Sequence, residues 1–327
     1  MCRVLGYCAK KHVSVADLVG DPGVAAFTAL SQWHADGWGM AALDGDGLHV
    51  TKSRRRAGDD PDYLRLTGEQ LGDTGLVHLR WATPGLAVED CNSHPFTWGE
   101  FAMCHNGAIR PQDKLPGLLP PQWERRLTGT TDSERYFLHI MAGLEANGGD
   151  MIAAVAQTIR RIRTDYVPNS LNAILLAPGA LYAIAWHDPE RIPYESIRAR
   201  RSPEDPTCYF NLGYRQTDDA VVVASTGWPQ DGWGVLPNGS VLAVDRATLD
   251  LRVETLLPAV PLSPRAGRGH SVPRGVAPSR RACSWPAASS AWPVPVLSRP
   301  GAAPDRSAPA APAAAASPSA SLPGLAR

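Results

Sequence analysis

Residues Cys2–Ala9, CRVLGYCA, have the apolar composition of a β-strand, and this strand begins at the amino terminus itself. Cys2 follows Met1 directly, and cytosolic aminopeptidases remove an initiator methionine when the next residue is as small as cysteine. Cys2 would then carry a thiol nucleophile and a free α-amine, which ordinarily has a pKa of roughly 7.7 to 8.0 and can accept the thiol proton. Taken alone, a cysteine at position 2 is more simply explained by chance, so this interpretation depends on the rest of the sequence.

Further strands are predicted on either side of a pair of helices. Between Asp132 and Thr164 the apolar residues recur at helical intervals, and Gly148 and Gly149 divide this stretch into two helices. Strands before and after a helical pair are typical of a layered α+β domain. The predicted strands are GWGMAAL, GLHVTKS, GLVHLRWA and EFAMCHNG before the helices, and SLNAILLAP, GALYAIAWH, DAVVVAST and GSVLAVDR after them.

The chain divides into a globular part and a tail of different composition. Its 327 residues are 44% hydrophobic and carry no net charge. Residues 258–327 hold 14 of the 30 prolines and eight arginines but only one acidic residue, so this part carries a charge of +7 and the remainder −7. Such a composition cannot bury enough apolar surface to offset the entropy lost on ordering. We therefore expect a folded domain over residues 2–257 and a disordered tail over 258–327.

The composition also limits the class of protein and its location. No apolar run reaches the roughly 18 residues of a membrane span, and the first residues lack the apolar stretch of a secretory signal. Six cysteines are too few for a disulfide scaffold in so long a chain, and reduced thiols fit a cytoplasmic enzyme. The tail arginines are scattered among prolines, so no nucleic-acid partner is expected. No glycine-rich phosphate loop is found, and no cofactor is predicted.

Four short motifs follow Cys2 in order. They are HLRWAT at 78–83, NSHPF at 92–96, HNGAI at 105–109 and TDSE at 131–134. With Cys2 at the mature terminus, this order resembles the class II glutamine amidotransferases, the glutaminase branch of the N-terminal nucleophile hydrolases. The resemblance spans residues 2–257, and TDSE together with the DGWG that begins at Asp36 brings it nearest to the stand-alone members. It implies an α+β fold of the four-layer αββα sandwich type.

Asn106 and Gly107 form a candidate oxyanion hole. At a strand end, the side-chain amide of Asn106 can donate to a developing oxyanion, and Gly107 lets its backbone N–H approach closely. As an isolated dipeptide, Asn-Gly is more typical of a hairpin turn. Its position after Cys2 and before Asp132 favours the catalytic interpretation.

Arg80 is the candidate for binding a substrate carboxylate. It lies in an otherwise apolar predicted strand, where a guanidinium needs a partner because an unpaired buried charge is costly. A substrate α-carboxylate held bidentately would be such a partner, and a salt bridge to a protein carboxylate is the structural alternative. The resemblance adds Trp81 and Thr83 as walls of a glutamine pocket. Many family members have histidine after this segment, whereas Pro84 follows here, so one possible carboxylate contact is absent.

Asp132 is the candidate for binding a substrate α-ammonium group. It stands at the head of a predicted helix, and the sequence Thr131-Asp132-Ser133-Glu134 also has the pattern of a helix N-cap. Capping alone is a sufficient reason for an aspartate at this position. The family resemblance, rather than local physics, favours the binding role.

Other side chains are weaker candidates. Cys104 and His105 could join Cys91 and His94 as zinc ligands, but they are adjacent in a predicted strand and point to opposite faces, so no metal site is predicted. If Cys2 is not the nucleophile, Cys104 beside His105 is the next candidate. His34 lies either near the mouth of the pocket or in a surface loop.

The resemblance implies hydrolysis of the glutamine side-chain amide through a Cys2 thioester, with ammonia passed to a separate synthase or lost to water. Two alternatives stay open. A γ-glutamyl hydrolase acting on a glutathione-like or other γ-glutamyl compound would use Arg80 and Asp132 in the same way. A non-catalytic interaction domain would use the basic tail as its arm, but it would have no physical need for the full set of candidate catalytic residues.

Overall fold

The first strand begins directly after Cys2. The computed structural model describes residues 2–83, 85–199 and 204–256. It confirms the predicted amino-terminal strand as β1, Arg3–Val13, which pairs with a neighbouring strand on each side. The expected domain boundary at residue 257 and the tail over 258–327 lie outside the described residues.

Most of the remaining elements coincide with the predicted segments. In the described residues the further strands are β2 (Trp38–Asp44), β3 (Gly47–Ser53), β4 (Gly72–Leu79), β5 (Phe96–Trp98), β6 (Phe101–Arg110), β7 (Val167–Ala177), β8 (Ala180–Ala185), β9 (Leu212–Gln216), β10 (Ala220–Ser225), β11 (Gly234–Val235), β12 (Ser240–Asp245) and β13 (Leu251–Thr255). The helices are α1 (Val15–Ala29), α2 (Pro61–Glu69), α3 (Pro121–Glu124), α4 (Asp132–Ala146), α5 (Met151–Asp165) and α6 (Tyr194–Ala199). None of these helices is long and apolar enough to cross a membrane.

The strands form two antiparallel sheets. Within the described residues, the first sheet has the strand order β11-β9-β10-β1-β4-β2-β3, and the second has the order β13-β12-β8-β7-β6-β5. β1 therefore lies in the middle of the first sheet, and it packs across β6 and β7 of the second. This arrangement brings the amino terminus close to the strand that carries the HNGAI motif.

Three hydrophobic clusters separate four layers. Between the sheets, Val4 of β1 packs with residues such as Ile174 of β7. On the outer face of the first sheet, Leu5 packs with Phe27 of α1. On the outer face of the second sheet, α4 and α5 cover β6 and β7 through residues such as Phe137. The order helix, sheet, sheet, helix is the expected αββα sandwich, so the predicted fold class is confirmed.

The helical pair between the two groups of strands is also confirmed. Thr131 is the N-cap of α4, since its Oγ1 accepts a hydrogen bond from the backbone N of Glu134 at 3.1 Å. Asp150 is the N-cap of α5, since its Oδ1 accepts a hydrogen bond from the backbone N of Ala153 at 3.0 Å. The start of α4 lies beside β6, which brings Asp132 to the same region as Asn106.

The helices on the first sheet, α1 and α2, are not predicted by the periodicity of the sequence. α1 begins with a capping box, in which Ser14 Oγ accepts from Asp17 N at 3.2 Å and Ser14 N donates to Asp17 Oδ2 at 2.9 Å. Gly20, with φ of 72°, then kinks the helix, and Pro22 follows directly after the kink. The kink interrupts the helical spacing of apolar residues and hides this layer from pattern analysis.

Candidate active site

Cys2 lies where three segments of the chain meet. It is buried, and its backbone N donates to Asn106 Oδ1 at 2.7 Å. Its Sγ lies 3.5 Å from the backbone N and 3.7 Å from the backbone O of Trp81. The amino terminus, the segment after β4 and the strand β6 therefore contact one another at the thiol.

Asn106 lies in the interior of β6, directly opposite Asn172 of β7. This corrects both the strand end and the hairpin turn considered from the sequence, because β6 goes on pairing with β7 as far as Arg110. The Asn106 side chain is fully buried, and its Nδ2 has no hydrogen-bond partner among the described residues. A buried amide donor without a partner is costly, so Nδ2 is a group that a ligand oxygen would stabilise.

Gly107 has a packing reason to be glycine. A Cβ at this position would lie 1.9 Å from the backbone O of Ser170 in β7 and 2.7 Å from His105 Nε2, so no side chain fits. The close approach of the two strands is therefore enough to explain the residue. Donation from the Gly107 N–H to an oxyanion stays a prediction.

Arg80 follows directly after β4, which ends at Leu79, so it lies just beyond the strand in which the sequence places it. The side chain is buried; its Nη2 donates to the backbone O of Ala87 at 3.0 Å, and its Nη1 lies 3.5 Å from Ser93 Oγ. No carboxylate of the described residues lies within 4.0 Å of the guanidinium, so the salt-bridge alternative finds no partner there. Burial lowers the pKa of Arg80 below its usual value.

Asp132 is the first residue of α4, and the capping role belongs to Thr131 instead. Asp132 Oδ2 accepts a hydrogen bond from the backbone N of Ile109 at 2.7 Å, which ties the carboxylate to β6 three residues beyond Asn106. The carboxylate is buried, and no cationic side chain of the described residues lies within 4.0 Å of it. Arg80 and Asp132 are thus two buried side chains of opposite charge, and neither has an ion-pair partner among the described residues.

Trp81 and Thr83 flank this region with different exposure. The Trp81 side chain is buried, and its ring meets the rings of His34 and Tyr209 edge-on at centroid distances of 6.0 and 6.4 Å. Thr83 is half-buried, and its backbone O accepts from Leu86 N at 3.1 Å. Their role as walls of a substrate pocket stays a prediction.

Cys104 and His105 point to opposite sides of the second sheet, as their adjacency in a strand predicts. Cys104 packs between the sheets, whereas His105 Nδ1 lies 2.9 Å from Ser133 Oγ of α4. Burial raises the pKa of the Cys104 thiol well above its usual value, which makes it a poor nucleophile. In the described part of the chain, no three cysteine, histidine or acidic side chains are grouped so that they could hold a metal ion.

Comparison with known proteins identifies the family. A family model described as class II glutamine amidotransferases matches residues 1–260. This chain belongs to that family. The prediction that the chain is an amidohydrolase-type enzyme is confirmed by this family and by relatives that are named as hydrolases.

Two relatives of this amidotransferase-family chain differ in how much of their own length they match. A γ-glutamyl-hercynylcysteine sulfoxide hydrolase of Mycolicibacterium smegmatis is 27% identical over 263 residues, covering 77% of this chain and 96% of the hydrolase. A glutamine–fructose-6-phosphate aminotransferase of Aeropyrum pernix is 30% identical over 193 residues, covering 58% of this chain but only 30% of the aminotransferase. The match therefore covers nearly the full length of the hydrolase but less than a third of the length of the aminotransferase.

Two solved structures share the fold. One is a glutamine aminotransferase class-II domain protein from Silicibacter pomeroyi, with a TM-score of 0.54 and 18% identity, covering 79% of this chain and 100% of that one. The other is the glutamine phosphoribosylpyrophosphate amidotransferase of B. subtilis, with a TM-score of 0.53 and 16% identity, covering 78% of this chain and 49% of that one. Both support the assignment of the amidotransferase fold.

Asp36 is a site residue of this amidotransferase domain that sequence reasoning does not single out. Its backbone N donates to Arg80 O at 3.1 Å, and its Oδ2 accepts from Ala82 N at 2.9 Å. Asp36 thereby fixes the backbone on both sides of Trp81. The available signal is the DGWG motif, which Asp36 begins.

His34 and Tyr209 are also part of the surroundings of the site. His34 is buried, with Nδ1 2.8 Å from the backbone O of Leu30 and Nε2 3.0 Å from Tyr209 Oη, so the surface-loop interpretation is wrong. Tyr209 comes from a segment 175 residues later in the chain. No local pattern in the sequence connects the two.

His78 and His94 form a buried pair beside Arg80. Their ring centroids are 4.1 Å apart, and none of their four ring nitrogens has a hydrogen-bond partner among the described residues. Burial lowers the pKa of His78 well below its usual value, and the charge of Arg80 adds to this effect. Burial likewise lowers the pKa of His94, so both imidazoles are neutral in the folded protein.

Proposed function

We propose that this chain is an N-terminal cysteine hydrolase of γ-glutamyl amides, with Cys2 as the nucleophile after loss of Met1. One observation carries the proposal. The Asn106 side chain accepts a hydrogen bond from Cys2 N through Oδ1, while its Nδ2 has no partner among the described residues. A single buried amide can therefore orient the α-amine of Cys2 and also donate to an oxyanion formed by attack of its thiol.

The proposed reaction begins when the α-amine of Cys2 takes the thiol proton, directly or through a water molecule. The thiolate attacks the γ-carbonyl carbon of the substrate, a C–S bond forms, and the carbonyl oxygen becomes an oxyanion that Asn106 Nδ2 and Gly107 N–H stabilise. The C–N bond then breaks as the Cys2 ammonium returns its proton to the leaving nitrogen. Water, deprotonated by the same amine, hydrolyses the glutamyl thioester and regenerates the thiol.

The glutamyl group of the substrate would be held at its α-carbon. Arg80 would bind the α-carboxylate and Asp132 the α-ammonium group, because each is a buried charge that lacks a counter-ion among the described residues. Trp81 and Thr83 would line the side chain between the α-carbon and the thiol. With the substrate's α-carboxylate on Arg80 and its α-ammonium group on Asp132, the charges of both side chains would be neutralised.

The leaving group is the less constrained part of the substrate. The γ-glutamyl-hercynylcysteine sulfoxide hydrolases match over 96% of their own length, which favours a γ-glutamyl compound larger than glutamine as the first candidate. The family match favours glutamine as the second, in which case ammonia would pass to a separate synthase or be lost to water. The cytoplasmic location stays a prediction.

Covalent trapping with an electrophilic glutamine analogue such as 6-diazo-5-oxo-L-norleucine tests the chemistry. We expect intact-mass analysis to show one adduct, and peptide mapping to place it on Cys2. Cys8→Ala should be labelled as the wild type is, because Cys8 lies six residues farther along the chain, where the regular pairing of β1 with β4 ends. Absence of both an adduct and glutamate release from any γ-glutamyl amide would favour the non-catalytic interaction domain.

A substrate panel then separates the two candidates for the leaving group. Glutamate release is measured for glutamine, γ-glutamylcysteine, glutathione and a γ-glutamyl conjugate of a larger thiol. A higher kcat/KM for the larger conjugates supports the γ-glutamyl hydrolase, and a higher value for glutamine supports the glutaminase.

A further inference from the structure

Arg3, the residue after the proposed nucleophile, is fully buried on the face of β1 opposite to Cys2. Side chains alternate along this strand, with Val4 in the cluster between the sheets and Leu5 in the cluster under the helices. Arg3 therefore shares the face of Leu5. Its guanidinium does not belong to the substrate pocket that we propose around the Cys2 thiol.

The Arg3 side chain holds residues 204–211, a segment from far along the chain. Its Nη2 donates to Glu204 Oε2, and its Nη1 donates to the backbone O of Tyr209 at 3.2 Å. The guanidinium also lies over the Tyr209 ring, 4.0 Å from its centroid. Two of these contacts fix the backbone and the ring of Tyr209, and the third holds Glu204.

Tyr209 transmits this position back to the nucleophile. Its Oη lies 3.0 Å from His34 Nε2, and its ring meets the edge of the Trp81 ring. The backbone N of Trp81 in turn contacts Cys2 Sγ at 3.5 Å. Arg3 is therefore connected to the thiol twice, through its own peptide bond and through Tyr209 and Trp81.

Stability of the fold is by itself a weak reason for the buried ion pair between Arg3 and Glu204. Both side chains are buried, and Arg3 Nε and Glu204 Oε1 have no hydrogen-bond partner among the described residues. Desolvation offsets much of the attraction in a buried ion pair, and well-packed apolar residues of similar volume are often as stable or more so.

We propose that Arg3 and Glu204 are positioning residues, which fix the Cys2 thiol against Trp81 for attack on the substrate. This proposal rests on the proposed function of Cys2. A misplacement of about 1 Å can slow a reaction about 10²-fold without loss of binding, so the effect belongs in kcat rather than in KM.

The test compares stability with the rate of thioester formation in Arg3→Met, Glu204→Leu and the double variant. Each single variant leaves one buried charge without its partner, so both should have a lower Tm. The double variant should regain most of the wild-type Tm, yet trapping by the electrophilic glutamine analogue should stay roughly ten- to a hundredfold slower, with KM nearly unchanged. Intact-mass analysis must show the same loss of Met1 in every variant.

A matched ion pair serves as the control. Arg246→Met/Asp73→Leu removes a partly buried pair at the far end of the two sheets and should leave the trapping rate and kcat unchanged. Arg3→Lys covers the case in which the double variant does not fold, since it keeps a positive charge for Glu204 but loses the planar stacking on Tyr209. We expect Arg3→Lys to keep its Tm and to lose kcat.

The outcomes separate the two proposals. A double variant, or Arg3→Lys, with both wild-type Tm and wild-type trapping rate would assign Arg3 a structural role only. If the wild type itself is not labelled at Cys2, the proposed function fails, and the positioning role fails with it.

Discussion

Cys2 and Cys8 lie at the two ends of the stretch of β1 that pairs regularly with β4, on the same strand face but in opposite surroundings. At the far end, Cys8 Sγ lies 3.5 Å from Thr74 Oγ1, and the neighbouring Arg246 binds both oxygens of Asp73 at 2.7 and 2.9 Å. At the amino-terminal end, the thiol of Cys2 contacts a peptide group. Among the described residues, Asn106 Nδ2 there has no hydrogen-bond partner, and the buried side chains of Arg80 and Asp132 have no ion-pair partner. The far end is a satisfied polar network, and the amino-terminal end is an unsatisfied one.

The difference separates stabilising polar groups from groups that await a ligand. An unsatisfied buried donor or acceptor costs about 1–3 kcal/mol, and charged groups cost more. A fold tolerates several such groups in one place when bound substrate supplies the missing partners. Substitutions around Cys2 should therefore affect catalysis, and matched substitutions around Cys8 should not.

The largest effect is expected from retention of Met1. A variant with lysine inserted after Met1 should keep the methionine, so that Cys2 N becomes an amide nitrogen that is not basic and cannot accept the thiol proton. We expect a folded protein with no measurable glutamate release. Cys8→Ala, at the other end of the regularly paired stretch, should keep full activity. If a fully active preparation retains Met1 quantitatively, the N-terminal nucleophile mechanism is wrong.

The next largest effect is expected from Asn106→Ala. Loss of one oxyanion donor typically lowers kcat by about 10² to 10³, and the substitution also removes the one hydrogen bond that Asn106 Oδ1 accepts from Cys2 N. Asn172→Ala, directly across the strand pair, removes an amide whose Oδ1 accepts from Trp186 N at 2.8 Å and whose Nδ2 donates to Phe210 O. Asn172→Ala should therefore lower Tm more than Asn106→Ala does. A near wild-type kcat in Asn106→Ala would contradict the assigned oxyanion hole.

A smaller effect is expected from Arg80→Lys. A point ammonium cannot reproduce the fork of a guanidinium on a carboxylate, so KM for the γ-glutamyl substrate should rise roughly tenfold or more with a smaller change in kcat. Arg246→Lys makes the same chemical change at the far end, where the partner is Asp73, and should leave KM unchanged. An unchanged KM in Arg80→Lys would give Arg80 a structural role.

Sequence patterns reach the layered fold where local preference and tertiary structure agree. The amino-terminal strand β1 and the helical pair α4 and α5 follow from short-range patterns and are confirmed. α1 is missed because Gly20 and Pro22 interrupt its period, although the capping box at its start is readable. Asn106-Gly107 is misread as a strand end because the turn preference of the dipeptide yields to pairing with β7.

The candidate site is predictable as a set of residues but not as a network. The order of the motifs predicts four candidate site residues, Cys2, Arg80, Asn106 and Asp132. Their missing partners and the contact from Arg3 to Tyr209, 206 residues apart, depend on tertiary packing that no local pattern encodes. Three-dimensional contacts therefore add the information that separates a binding charge from a structural one.

The smallest effect is expected in the pH dependence of stability. His78 and His94 at the amino-terminal end have pKa values held well below the usual value of about 6.5 by burial, so the native state does not bind their protons. Below about pH 6.5 the unfolded chain does bind them. The free energy of unfolding should therefore be flat above this pH and should fall as the pH decreases, by up to about 1.4 kcal/mol per pH unit for each histidine.

Chemical denaturation between pH 5 and pH 8 measures this slope, and His94→Phe tests its origin. Phenylalanine keeps an aromatic ring against His78 but cannot bind a proton, so the slope below pH 6.5 should be smaller than in the wild type. His12→Gln, which changes an exposed histidine of β1 with no ion-pair partner among the described residues, should leave the slope unchanged. The buried pair differs from His12 because its four ring nitrogens lack hydrogen-bond partners among the described residues, so protonation in the native state would add two charges beside Arg80. A wild-type slope in His94→Phe would show that His94 binds its proton equally in the folded and unfolded states, and the pair would then lose its place among the unsatisfied groups at the amino-terminal end.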